Sequence, residues 1–183
     1  MRWSISMSER SMSNLRLPMI DATVFMGMHH ADPGVRDKCL GFFSRFYTSS
    51  VQMNFAQVGI CDAIIWKKSR ALQDVYYPFM DVLHTDMAIQ RQGCSEQVLQ
   101  RAANDSLFKG LPAEKKLLAA QVLEHELPFY THDLELLRLQ VLQPFLQPFE
   151  NTPERPAFPE MLQRLYEQSC ALVIRNEDFQ HVG

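Results

Sequence analysis

Short apolar runs alternate with amphipathic segments of helical length along this chain, and no hairpin signal joins any two of the runs. The runs lie near residues 18–24, 49–54, 127–131 and 170–175. Neighbouring strands that lack a hairpin need a crossover helix, and right-handed crossovers of this kind produce parallel pairing. The sequence therefore predicts an α/β fold, a three-layer α/β/α sandwich around a central parallel sheet of four to five strands.

The segments between these runs carry apolar residues at spacings of three and four, the period of an amphipathic helix. The first such segment is "GVRDKCLGFFSRFY". Asn54 precedes the second, where it can cap the helix while Gln57, three residues later, completes a capping box. The same spacing predicts further helices near residues 71–87, 95–104, 112–126, 132–142 and 159–170.

The composition narrows the class of protein. Hydrophobic residues make up 46% of the 183 and charged residues 21%, which is typical of one globular domain with a sizeable core. The net charge of −3 argues against a protein that only binds nucleic acid. The four cysteines form no CxxC pair and are predicted to be reduced and mostly buried. Because the chain shows neither a membrane span nor a signal peptide, we expect a cytoplasmic protein.

Two segments depart from the regular alternation. Residues 1–16 are rich in Ser and Met without a sustained period, and they are predicted to be a flexible N-terminal extension. Residues 17–183 are predicted to form a single domain. Within it, residues 138–169 contain the proline-rich loop "NTPERPAFP" between helical patterns and are predicted to be a helical insertion.

Asp21 is a carboxylate inside an otherwise apolar run, "LPMIDATVF". Parallel sheets bind ligands at the carboxyl ends of their strands, and the topology brings further acids to that edge. Asp62 lies in the helix after the second strand, Asp133 follows the third strand, and Glu114 begins the helix that leads to it. Clustered carboxylates repel one another unless a hard divalent cation holds them, and such a cation can activate water against a phosphodiester.

Each of these residues also has a purely structural interpretation. Asp21 can cap the turn that follows it, and Asp133 can be the N-cap of "LELLRL". Glu114 can complement the dipole of its helix, and Asp62 can lie on a solvated helix face. Thr23 can simply pack as a β-branched residue. The sequence leaves these alternatives open.

Two other clusters have weaker functional interpretations. His29 and His30 are adjacent, so their rings cannot easily point at one transition metal ion, and we do not expect a zinc site. The aromatic cluster "YYPFM" at 76–80 is predicted to be an oligomer contact, which would produce a homodimer. No glycine-rich loop follows any predicted strand, which argues against a P-loop or dinucleotide fingerprint.

The segment "LLAAQVLEHELPFYTHDLELL" resembles the pattern LAAxxLExxLPxxTxD of the PIN-domain nucleases. The run ending in Asp21, Ala22 and Thr23 is similar to the Asp-x-Ser/Thr of that family, and "ALVIRNEDF" is similar to its closing strand and acidic turn. The resemblance covers residues 18–137 and 170–180. It implies a metal-dependent endoribonuclease that cleaves single-stranded RNA, a toxin-like module with an antitoxin-like protein partner.

The resemblance also implies roles for individual residues. The metal, Mg²⁺ or Mn²⁺, would be held by acidic side chains, namely Asp21, Asp133 and Glu114. These three and Asp62 would form the catalytic set. Contacts with the RNA substrate would come from polar side chains at the same edge, namely Thr23, Thr131 and Gln57.

Two positions depart from the family pattern and make the acidic set degenerate. Gln57, with Ala56 beside it, stands about where the family has a Glu after the second strand. Lys115 aligns with the third acid of the family, and Glu114 is one residue out of register. We therefore expect weak metal binding and slow cleavage. The alternative is a catalytically weakened PIN-like scaffold that binds a protein partner or a small molecule.

Overall fold

The computed structural model describes residues 16–150 and 158–180. Its centre is a sheet of four strands, β1 (Met19–Ile20), β2 (Gln52–Asn54), β3 (Gln90–Gln92) and β4 (Phe129–Tyr130). The strand order is β3-β2-β1-β4, and every adjacent pair is parallel. The α/β prediction is confirmed, because helices flank this parallel sheet as in a three-layer sandwich.

Eight α-helices accompany the strands within the described residues. They are α1 (Ala22–Phe25), α2 (Pro33–Phe46), α3 (Phe55–Trp66), α4 (Arg70–Asp86), α5 (Glu96–Asn104), α6 (Ala113–His125), α7 (Leu134–Arg138) and α8 (Glu160–Ser169). Short 3₁₀ turns cover Met26–His29, Ser106–Phe108, Gln140–Leu142 and Asn176–Phe179. Among the residues described, none of the helices has the length and apolar character needed to cross a membrane.

The two core layers follow from the alternation of side chains along the strands. Ile20 and Met53 point into a large core with α2, α3, α4 and α8, whereas Met19 and Phe129 point into a second core with α5 and α6. Cys39 and Cys61 are buried in the larger core, as predicted, whereas Cys94 is only partly buried and Cys170 is exposed. The sheet is therefore covered on both faces, as the continuous apolar runs of parallel strands require.

The aromatic cluster at 76–80 also contributes to the larger core. Tyr76 and Phe79 are buried in it, so the prediction of an oligomer contact is wrong for these two residues. The helix period that made the cluster conspicuous is the period of a buried helix face.

The strands of the structure differ from the predicted strands in three ways. The first strand stops at Ile20, because Asp21 caps α1 and residues 22–25 are helical. Residues 170–175 form no strand, and Ile174 makes only an isolated parallel bridge with His30. Conversely, β3 was not predicted, because its side chains, Gln90 to Gln92, lie at the exposed edge of the sheet and form no apolar pattern.

The predicted capping box at α3 is half correct. The Asn54 side chain accepts a hydrogen bond from the Gln57 amide at 2.9 Å. Gln57 does not return the bond with its side chain oxygen, which instead accepts from the Ala22 amide at 2.9 Å. Gln57 therefore connects α3 to the start of α1.

The segment predicted as a helical insertion at about 138–169 is only partly helical. After α7 and the turn Gln140–Leu142, the chain runs irregularly to Glu150 and passes along the outer side of β4. It then resumes in the described residues before α8, which packs on α4. Residues 151–157 and 181–183 lie outside the described residues, as do residues 1–15 of the predicted N-terminal extension.

Candidate functional site

Asp21 lies at the carboxyl end of β1, an inner strand that pairs with both β2 and β4. The residue is 2% exposed. One carboxylate oxygen, Oδ1, accepts from the Thr23 hydroxyl at 2.5 Å and from the Val24 amide at 3.2 Å. The other oxygen, Oδ2, accepts from the Thr131 hydroxyl at 2.5 Å. Both oxygens of this buried carboxylate are thus engaged by uncharged donors.

The surroundings of Asp21 determine its acidity. Burial raises the pKa of Asp21 to about 6, because the charged form loses its hydration. Hydrogen bonds from Thr131 and Thr23 lower the pKa and offset part of this effect, while the negative charge of Asp133 raises it further. The carboxyl group therefore titrates close to neutral pH.

Thr23 and Thr131 join the ends of β1 and β4. The Thr131 hydroxyl donates to Asp21 and accepts from the Asp133 amide at 2.8 Å. The Thr23 hydroxyl donates to Asp21 and accepts from the His132 amide at 2.8 Å. Each hydroxyl proton is committed to Asp21, which gives both threonines a structural role at this edge beside the predicted contact with a substrate.

Asp133 caps α7 and is paired with a lysine. Its Oδ1 accepts from the amides of Glu135 and Leu136 at 2.9 and 3.1 Å. Its Oδ2 lies 2.7 Å from the Lys115 ammonium, which also contacts the Glu135 carboxylate. Partial burial lowers the pKa of Lys115, but the contacts with the two carboxylates outweigh burial and hold it above the ordinary value.

The other two predicted acids differ in position. Glu114 lies in the first turn of α6, next to Lys115, and is partly buried. Its carboxylate makes no hydrogen bond or ion pair with the rest of residues 16–150 and 158–180. Asp62 is exposed on α3, where burial raises its pKa and the charge of Arg91 lowers it. Asp62 therefore faces the β3 side of the molecule, and the structure does not join it to Asp21 and Asp133.

A chain of buried amides stands next to Asp21. The Gln57 side-chain oxygen accepts a hydrogen bond from the Ala22 backbone amide, and Asn54 Nδ2 donates to Gln121 Oε1 at 3.1 Å. All three amide side chains, Asn54, Gln57 and Gln121, are buried. Sequence reasoning identified Asn54 only as a cap and missed Gln121, whose one signal was a polar residue on the apolar face of α6.

The two adjacent histidines have separate partners. His29 Nε2 lies 2.7 Å from Ser169 Oγ, and burial lowers the pKa of His29 to about 3. His30 Nε2 lies 3.1 Å from Asn176 Oδ1, and His30 Nδ1 accepts from the Asp32 amide at 3.0 Å. The rings are used to hold the turn after α1 against the C-terminal segment.

Residues 7–179 match the family of unknown function DUF6190, and this range is most of the chain. The chain belongs to this family. Comparison with curated proteins and with solved structures found no match.

In this DUF6190 protein the donor set does not fit a divalent cation held by Asp21, Asp133 and Glu114. Mg²⁺ needs oxygen ligands with free lone pairs at about 2.1 Å. Three of the roughly four lone-pair sites of the Asp21 carboxylate already accept hydrogen bonds, and the Lys115 ammonium lies against Asp133, where it would repel a second cation. Among the described residues, no group of three or more His, Cys, Asp or Glu side chains could hold a metal ion.

Proposed function

We propose that this protein is a PIN-like scaffold that acts by binding a protein partner and does not use a divalent metal ion to cleave RNA. The supporting observation is the position of Lys115, whose ammonium lies 2.7 Å from Asp133 and also contacts Glu135. The lysine supplies the positive charge that neighbouring carboxylates need, so a metal ion is not required to offset their repulsion. Gln57 reduces the need further, because it has the shape of a glutamate without the charge.

Exposed apolar side chains at the same sheet edge support a protein as the partner. Phe55, the first residue of α3, is 59% exposed, and Leu134, the first residue of α7, is 64% exposed. Covering such side chains is favourable by roughly 25 cal/mol for each Å² of apolar surface removed from water. Apolar side chains next to charged ones are typical of a protein interface.

A metal-dependent ribonuclease is the second candidate, and one observation favours it. Thr131 connects Asp21 with the backbone of Asp133, so the two acids that best match the nuclease pattern are neighbours at one edge. In this proposal Lys115 moves away from Asp133. The metal ion, Mg²⁺ or Mn²⁺, is then bound by Asp21, Asp133 and Glu114, and the substrate is RNA.

Calorimetric titration of the full chain with Mn²⁺ distinguishes the two candidates. We expect no saturable binding by the wild-type protein and no Mn²⁺-dependent cleavage of a labelled single-stranded RNA. We expect binding to emerge in the double variant Lys115→Met/Gln57→Glu, because it removes the competing cation and restores the missing acid.

The matched control is Lys116→Met, which removes the same charge from the same turn of α6. In combination with Gln57→Glu it should leave Mn²⁺ binding weaker than the Lys115→Met combination. Wild-type protein that binds Mn²⁺ and cleaves RNA, with both properties lost in Asp21→Asn, would overturn the scaffold proposal and establish the nuclease.

A further inference from the structure

The two outer strands of the sheet differ in what covers them. On β4, the backbone N–H and C=O of Phe129 point away from β1. The N–H donates to Phe145 O at 2.8 Å, and the C=O accepts from the Gln147 amide at 2.9 Å. The bridge between Phe129 and Leu146 continues the parallel pairing of the sheet. The chain therefore protects this edge with its own backbone.

On β3, the corresponding residue is Arg91. The Gln90 amide donates to Val51 O at 2.9 Å, and Gln90 pairs with Gln52 in the parallel register. In a parallel ladder the direction of the backbone groups alternates from residue to residue. The N–H and C=O groups of Gln90 and Gln92 therefore point towards β2, while those of Arg91 point away from the sheet. No backbone or side chain within the described residues hydrogen-bonds to these two groups, and Gln90 and Arg91 are exposed.

Charge determines what this open edge can accept. The Arg91 guanidinium forms no ion pair or hydrogen bond with the other described residues, although the carboxylate of Asp62 lies near enough to act on it electrostatically. Pairing β3 with a second β3 in antiparallel fashion about Arg91 would place two arginines opposite each other, which is unfavourable. An acidic side chain in that place would be favourable.

An apolar surface lies at the end of the same edge. A Cβ atom built on Gly93 would lie 3.8 Å from the Phe55 ring, so Phe55 stands directly beside the backbone that follows β3. The Phe55 side chain is exposed. An added strand would thus meet the Arg91 guanidinium, which forms no ion pair with the described residues, and an aromatic ring at its end.

We propose that the outer edge of β3 binds an extended acidic segment of a partner protein by strand addition. The backbone groups of Arg91 supply the hydrogen bonds, as in other cases of β-augmentation, and the guanidinium selects an acidic residue. The inference deepens the protein-binding part of the proposed function and rests on it, but it does not depend on the metal question, because this edge is open whether or not the carboxylates at the other strands bind a metal.

Blocked, fluorescently labelled octapeptides test the proposal against the full chain. One peptide alternates Val and Thr around a central Glu, a second has Lys in place of Glu, and a third carries N-methyl groups on the backbone. We expect the Glu peptide to bind at least about tenfold more tightly than the Lys peptide at low salt, and the N-methylated peptide not to bind. The amide signals of Ile89, Arg91 and Gly93 should shift in ¹H–¹⁵N spectra.

Two variants of Arg91 locate the binding. Arg91→Pro removes the outward N–H and no hydrogen bond of the β2–β3 ladder, so the protein should fold and lose the Glu peptide. Arg91→Glu should reverse the preference in favour of the Lys peptide. Arg138→Glu, an equal charge change on the exposed end of α7, is the matched control and should leave the preference unchanged.

Three results would overturn the proposal. They are the absence of saturable peptide binding, binding that persists in Arg91→Pro with shifts elsewhere in the spectrum, and a wild-type dimer in light scattering that Arg91→Pro dissociates. The last result would show that the edge pairs with a second copy of the chain. Because none of these measurements involves Mn²⁺ or RNA, their failure is distinguishable from failure of the proposed function.

Discussion

Asp21 and Asp133 have the same side chain and the same local task, yet their surroundings differ. Each follows a strand of the sheet and caps the helix that comes next. Asp21 is buried and receives only uncharged donors, whereas Asp133 is partly exposed and pairs with Lys115. A strand end thus decides where a carboxylate stands, and the neighbours that pack around it decide its chemistry.

The two carboxylates also differ in how their negative charge is compensated. The cation at this edge pairs with Asp133 and Glu135, which leaves Asp21 to hydroxyl and amide donors. Neutral donors compensate a buried charge incompletely, and the raised pKa of Asp21 is the consequence.

The largest effect should be the pH dependence of stability due to Asp21. Its pKa is about 6 in the folded protein and about 3.8 in the unfolded chain, so the folded state holds the proton more tightly. Stability from this group is present below the unfolded value and is lost as pH rises towards 6. The shift corresponds to about 3 kcal/mol.

The measurement is the free energy of unfolding in urea from pH 4 to pH 7 for wild-type protein and Asp21→Asn. Between these two pH values the difference should move by about 2.4 kcal/mol in favour of the variant, which is most of the full effect. The comparison is needed because buried His29, with its pKa lowered to about 3, acts in the opposite direction in both proteins. Parallel pH profiles would show that the pKa of Asp21 is not raised in the folded protein.

Thr131→Val should have the next largest effect. It keeps the shape but removes the donor to Asp21 and the acceptor for the Asp133 amide, so we expect a loss of about 2 kcal/mol at pH 7. Urea denaturation checks the value. The matched control is Thr85→Val in α4, whose hydroxyl donates only to a carbonyl on an exposed face and should cost less than about 0.5 kcal/mol.

Asp133→Ala should have a smaller effect on stability than the titration of Asp21 or Thr131→Val. The variant loses the cap of α7 and the pair with Lys115, and we expect a loss of about 1 kcal/mol. Asp133→Asn keeps the cap and loses only the charge, so its thermal unfolding should lie between those of the wild type and Asp133→Ala. If Asp133→Ala destabilised the protein more than Thr131→Val, the ranking of the two sites would be wrong.

Lys115→Met should have the smallest effect on stability. Methionine retains the packing of the lysine stem, and the lost ion pairs are partly solvated, so we expect a loss of about 0.5 kcal/mol at low salt. The difference should vanish in 1 M NaCl, where the Debye length is about 3 Å. A difference that persists at high salt would mean that the pair between Lys115 and Asp133 is shielded from solvent and stronger than a surface ion pair.

Much of the fold could be predicted from the sequence, because helix period, caps and apolar runs are local signals. The runs containing Met19, Met53 and Phe129 became strands, and Asn54 and Asp133 became caps. β3 could not be predicted, since an exposed edge strand with the sequence QRQ carries no apolar alternation. Residues 170–175 were wrongly predicted to be a strand, because an apolar run whose side chains fill a core has the same sequence pattern as a buried strand.

Local sequence patterns are enough to place Asp21 and Asp133 at the carboxyl edge of a parallel sheet, because the topology follows from the order of strands and helices. Which donor each carboxylate meets depends on tertiary packing. Thr131 reaches Asp21 across 110 residues of chain, and Lys115 turns to Asp133. These contacts depend on how side chains pack when distant elements come together, and packing of this kind leaves no period or motif in the sequence.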